Sequence, residues 1–134
     1  MPGTFLLGAA GYPALELLTR GRTHYSMAIA GGLSLMLIRR VQRMRRSLSV
    51  RALLCGAGIT AIEYACGRIW NRNWRVWDYR RMPLNHRGQV CLPYTALWCL
   101  LSASALTVMD ACAAAGPRIR LRYPNKKKGL TPSS

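Results

Sequence analysis

Residues 88–109 read GQVCLPYTALWCLLSASALTVM, and none of these 22 residues is Lys, Arg, Asp or Glu. A helix rises about 1.5 Å per residue, so about 20 residues cross the roughly 30 Å hydrocarbon layer of a bilayer. Pro93 falls in the first turn of such a helix, where a missing N–H costs little. The stretch is therefore predicted as a transmembrane helix over about 90–109, with a possible continuation through Ala115. What precedes it is very different. Residues 77–87, WDYRRMPLNHR, hold three arginines, an acid, a proline and a histidine.

The same contrast recurs along the chain. It has 134 residues and a net charge of +16, yet 51% of it is hydrophobic. A basic excess points to nucleic acid or an anionic membrane surface. The long uncharged runs favour the membrane, and no specific nucleic-acid partner is expected. The mean hydropathy of +0.06 averages apolar spans with arginine-rich connections. Four spans are predicted: 4–18, interrupted by Pro13 and Glu16; 23–38; 52–70, which contains Glu63 and Arg68; and 90–109. The fold class is thus all-α, a polytopic membrane helix bundle of about four transmembrane helices occupying 1–117. Residues 118–134 form a basic tail expected to be disordered and cytoplasmic. The N-terminal run has no basic leader and carries Glu16, so it is not read as a cleaved signal.

Charge sets the expected orientation. Arg39, Arg40, Arg43, Arg45, Arg46 and Arg51 lie between the second and third spans, and six more bases lie in the tail, without an acid in either segment. Positive segments stay cytoplasmic, which places both termini inside and the Arg20-Gly21-Arg22 turn and the 77–87 segment outside. Trp70, Trp74 and Trp77 suggest that this outer segment lies along the interface, with arginines reaching lipid headgroups.

The four acids, Glu16, Glu63, Asp78 and Asp110, are more informative than the twenty bases. Glu16 and Glu63 fall inside predicted spans, where a carboxylate must face protein, water or a cation. Ala52, Gly56, Thr60, Glu63 and Gly67 share one narrow helical stripe. Small residues there admit a neighbouring helix, and Ala28, Gly31 and Gly32 make the second span a plausible one. Two roles are open for Glu63: an ion, proton or substrate site, or a structural carboxylate held by an arginine or hydroxyl, with the 77–87 arginines as candidate partners. Asp78 reads as a cap or ion-pair acceptor in its segment.

Other chemistry is thinly represented. Cys55, Cys66, Cys91, Cys99 and Cys112 form no Cys-x-x-Cys pair and read as small packing residues. No metal, cofactor or catalytic set is predicted. His24 and His86 lack a ligand companion at helical spacing, and no Gly-x-x-x-x-Gly-Lys phosphate loop occurs.

The WDYRRMPLNHRGQVCLPYTALW stretch resembles the signature of small bacterial integral membrane proteins, the CmpB-like family of type IV ABC-transporter permeases. The matching positions are Trp77, Asp78, Tyr79, Pro83, Asn85, Gly88, Cys91 and Trp98. GYPALELLTRGRTHYSMAIAGG is similar to the short form of that family through Gly11, Tyr12, Glu16, Arg20, Gly21, Thr23, His24, Met27, Gly31 and Gly32. Glu63 stands where the family has a glutamate. The resemblance covers the chain to about Ser104; Arg80 and Val90 depart from it. It implies a multi-pass protein of the bacterial cytoplasmic membrane, a permease-like or accessory transporter subunit relying on a separate ATPase. The lack of a catalytic motif argues against an enzyme, the basic residues lead one to expect contact with anionic lipids, and so small a bundle leads one to expect a homo-oligomer. On the residues alone two other classes stay open. One is a membrane-embedded enzyme acting on a lipid through Glu63, Asp78 or His86. The other is a basic membrane-anchored adaptor using Arg43, Arg45 and Arg46.

Overall fold

Helices form where the uncharged runs lie: α1 (Pro2–Arg20), α2 (Tyr25–Gln42), α3 (Leu48–Trp70) and α4 (Leu92–Ala115). The computed structural model describes residues 2–116; the predicted basic tail lies outside them. Each boundary has a local cause. Gly21, at φ +66°, closes α1 by donating its N–H to the Leu17 carbonyl at 3.0 Å, a left-handed cap that glycine adopts without strain. His24 caps α2, its Nδ1 accepting from the Ser26 N–H at 3.2 Å. Ser47 caps α3, its Oγ accepting from the Val50 N–H at 3.4 Å. Pro93 opens α4, and Pro13 sits within α1.

The helices do not coincide with the predicted spans. Thr23 and His24 belong to the α1–α2 connection, and Val90 and Cys91 to a short strand. α3 starts before residue 52, so Arg51 is part of that helix. Asp110, expected at or past the end of the fourth span, lies inside α4. These two residues close one end of the bundle. Arg51 reaches Asp110 Oδ2 at 2.7 Å and also donates to the Gln42 carbonyl at 3.2 Å, tying α2, α3 and α4 together.

Small residues set the closest approaches. Gly8 of α1 faces Gly31 of α2 so tightly that a Cβ on either would collide with the other's carbonyl, and the Phe5 ring covers Gly32. The small patch of α2 therefore receives α1; it is not the partner of the Glu63 stripe. That stripe packs on α4 instead: Gly56 abuts the backbone of Cys99, and the Thr60 and Thr95 hydroxyls meet at 2.9 Å.

Polarity is arranged inside out. The inversion is partial: Ser26, Ser34, Glu63, Asn71, Gln89 and Ser102 are buried among apolar side chains such as Met27, Ile38, Val41, Ile59 and Leu106, whereas Leu6, Leu7, Leu18, Leu53, Leu97, Leu100 and Val108 are exposed. Small residues inside and leucines outside are what helices in lipid require, because lipid is as apolar as leucine and helix association rests on close packing. α3 and α4 are each long and apolar enough to cross a membrane. α1 and α2 are shorter, at 19 and 18 residues, with Glu16 and Arg20 in α1 and Arg39 and Arg40 in the last turn of α2.

Candidate functional site

The segment joining α3 to α4 is organised by two buried amides. The Asn71 side chain donates to the Trp77 carbonyl at 2.6 Å and to Gln89 Oε1 at 3.2 Å, and accepts from the Val76 N–H at 2.8 Å. Gln89 answers by donating to the Asn71 carbonyl at 2.9 Å. β1 (Asn85–His86) pairs antiparallel with β2 (Val90–Cys91), a short hairpin that ends the arginine-rich stretch and leads into α4. Trp77, expected at the interface, is buried, and its indole N–H donates to the Gln89 carbonyl at 2.8 Å. Its ring packs against Gly67 of α3, where a Cβ would lie 3.1 Å from the indole Cζ2.

The other motif residues each have a place. Asp78 takes a two-pronged contact from Arg80, at 2.9 Å from Nε and 2.7 Å from Nη2, and accepts from the Arg80 backbone N–H at 3.0 Å. This guanidinium and N–H hold the Asp78 carboxyl at about 2, below its usual 3.8. Arg80, where the resemblance leads one to expect a small hydroxyl residue, thus neutralises the segment's one acid. Tyr79 is buried, stacks on Tyr94 with ring centres 4.7 Å apart, and has its phenol pushed up by that burial. Asn85 accepts from the Gly88 N–H at 3.1 Å and donates to the Met82 carbonyl at 2.8 Å, bridging the turn that holds Pro83. Cys91 is buried at the start of α4.

Beneath this cover lies Glu63, buried in α3. It accepts from the Trp98 indole N–H at 2.9 Å and from the Tyr12 hydroxyl at 3.2 Å, so α4 and α1 both meet it. Neither the 77–87 arginines nor Arg68 lies within ion-pair distance of Glu63. A phenol and an indole take the place expected for an arginine. Two donors fill half of the roughly four acceptor positions of a carboxylate. The remaining capacity suits a proton, a cation or a substrate donor.

Glu63 lines a cavity of about 360 Å³ with Tyr12, Glu16, Arg20, Tyr79 and Trp98. The N-terminal motif builds its mouth. Glu16 accepts from Thr23 Oγ1 at 2.9 Å and lies 3.9 Å from Arg20. Arg20 lies one helical turn beyond Glu16 on α1, and Thr23 is brought back into range by the turn at Gly21. Glu16, Arg20, Trp77 and Tyr79 also border an outer hollow of about 640 Å³, together with Arg22, His24, Arg75 and Asp78. Thus Glu16, Glu63, Arg20, Thr23, Trp77, Tyr79 and Trp98, distant in sequence, surround two adjoining spaces.

Other expectations separate. His86 packs on the Tyr64 ring at 5.5 Å, and no hydrogen bond joins it to Asp78 or a cysteine among the described residues. Cys55, Cys66 and Cys91 are buried and unbonded. Sequence reasoning missed Asn71, Gln89 and the Thr60–Thr95 pair. Two uncharged amides beside an arginine-rich stretch carry no periodic signal that separates them from solvated loop residues.

Comparison with curated proteins and with solved structures gives no match. A protein-family model does match, from residue 24 to residue 124. The match extends beyond Ser104, and it begins after Gly11, Tyr12, Glu16, Arg20, Gly21 and Thr23. The chain therefore belongs to the family described as "Putative ABC-transporter type IV".

Proposed function

We propose that this chain is a membrane subunit of an ABC-type transporter, permease-like or accessory, that depends on a separate ATPase. The observation that carries the proposal is the family match over residues 24–124. Two features of the fold support it. Many leucines face outward around an interior that also buries polar groups, and a buried carboxylate lines a cavity bordered by an arginine-containing outer hollow. In this account all four helices cross the bilayer and both termini are cytoplasmic. The 71–91 segment fixes the outer end of the bundle. Residues 1–117 form the membrane domain, and the basic segment 118–134 after it faces the cytoplasm. Glu63 and Glu16 contribute by binding and by conformational coupling, without covalent chemistry. Four short helices enclose little space, so a path for a solute with its polar groups satisfied is best built from more than one copy.

Recovery of tagged protein from native membranes in mild detergent, with partners identified by mass spectrometry, tests the assignment. Stoichiometric recovery of an ATP-binding subunit is expected. Recovery of the self-associated chain alone would contradict it.

A further inference from the structure

A third hollow, of about 600 Å³, shares no lining residue with the Glu63 cavity. Arg68, Arg72, Arg80 and Arg87 surround it beside Trp74, and no acid lines it. Of the four guanidiniums, Arg80 has a carboxylate within ion-pair distance, that of Asp78; among the described residues the other three have none. Arg72 uses its Nε on the Arg68 carbonyl at 2.9 Å, which leaves its two terminal nitrogens free of that contact.

The wall of the hollow is fixed. The Arg80 guanidinium lies 4.4 Å from the centre of the Trp74 ring, and the Trp74 indole donates to the Arg87 carbonyl at 3.1 Å. Trp74 and Arg87 both hold left-handed backbone, at φ 53°. Non-glycine residues keep that conformation where their surroundings over-determine it, and such positions gather at binding sites. Gly88 allows the arrangement, since a Cβ there would meet Arg80 and, at 2.7 Å, the Trp74 Nε1. Planar guanidinium forks match the oxygens of a phosphate.

We propose that this hollow binds a phosphate-bearing anion between Arg68, Arg72 and Arg87, with the Arg80–Trp74 stack as its wall. An anionic lipid headgroup and a phosphate-bearing solute share this chemistry. The lipid source, though not the phosphate site, rests on the membrane assignment above.

The test uses the full chain in neutral detergent, titrated by native mass spectrometry with phosphatidylglycerol, phosphatidylcholine and inorganic pyrophosphate. Two variants of equal charge loss are compared: Arg68→Gln/Arg72→Gln/Arg87→Gln, and Arg43→Gln/Arg45→Gln/Arg46→Gln at the α2–α3 connection. Affinity for phosphatidylglycerol or pyrophosphate is expected to fall about tenfold or more in the first variant and to stay within about twofold in the second. Loss of phosphatidylglycerol binding alone identifies a lipid site, and loss of pyrophosphate binding alone a solute site. Equal losses in both variants would overturn the proposal, as would binding of neither anion above the level of phosphatidylcholine. If the triple variant does not fold, Arg87→Gln carries the test, with a loss of about threefold expected and an unchanged affinity overturning it. Failure of the membrane assignment reads separately, as a chain that stays monodisperse without detergent.

Discussion

Glu63 is the residue on which the interior turns. Its oxygens take one donor from α4, the Trp98 indole N–H, and one from α1, the Tyr12 hydroxyl, which alone can be removed without losing the ring that carries it. Trp98→Phe is expected to destabilise the detergent-solubilised protein by at least about 1–3 kcal/mol, the cost of leaving a buried polar group without its partner, to which the space vacated by the smaller ring adds. Tyr12→Phe, which removes the longer bond, is expected to cost less. Thermal or denaturant unfolding measures both; an unchanged stability in both would mean that cavity water serves the carboxylate equally well. Asp78 behaves differently because it lies in the exposed segment between α3 and α4. Its carboxyl sits at about 2, below the ordinary 3.8. A depressed carboxyl contributes stability above its unfolded value and loses it as pH falls through the folded one. The Asp78–Arg80 clamp should therefore hold from neutral pH down to about 4 and open toward pH 2. Carboxyl-carbon NMR of Asp78 checks this, and a midpoint near 3.8 would show that the clamp does not persist in solution.

At the scale of the elements, the glycines of α3 differ by what faces them. A Cβ at Gly56 would press on Cys99, whose backbone nitrogen and Cα lie 3.1 and 3.2 Å away, so α4 itself would have to move. A Cβ at Gly58 would meet the flexible end of Leu37. Gly56→Ala is expected to destabilise by about 1–3 kcal/mol. Gly58→Ala should be neutral or stabilising, because alanine is the better helix former by up to about 1 kcal/mol. Unfolding midpoints of the two variants in one detergent decide it, and equal effects would contradict the α3–α4 packing. These elements also show what the sequence made legible. The length of the uncharged runs marked four helices, and the spacing of Ala52, Gly56, Thr60, Glu63 and Gly67 marked a contact face. Spacing on one helix cannot say which neighbour it receives: the small positions of α2 make it a plausible partner, and α4 is the helix that packs there. Tryptophan beside arginine suggested an interfacial strip. Burial of Trp77 depends on Asn71 and Gln89 meeting across 18 residues, a long-range pairing that no local pattern encodes. The Glu63 donors are hidden for the same reason, since Tyr12 and Trp98 reach it from 51 and 35 residues away.

At the scale of the whole molecule, charge and apolar surface together define the proposed setting. Twenty bases against four acids would burden a water-soluble bundle that also exposed this many leucines. In a bilayer the leucines face lipid, and the arginines fall at the helix ends, where headgroups receive them. α1 and α2, of 19 and 18 residues, are just long enough for about 27–28 Å of hydrocarbon, so slight local thinning would accompany them. The central claim is that the chain crosses the membrane with the 71–91 segment outside and the α2–α3 connection inside. Labelling of single added cysteines in intact cells by a membrane-impermeant maleimide tests it most directly. Asn73→Cys is expected to react in intact cells, and Met44→Cys only after lysis, each compared with the parent chain. Reaction of Met44→Cys in intact cells, or protection of both positions until lysis, would contradict the account.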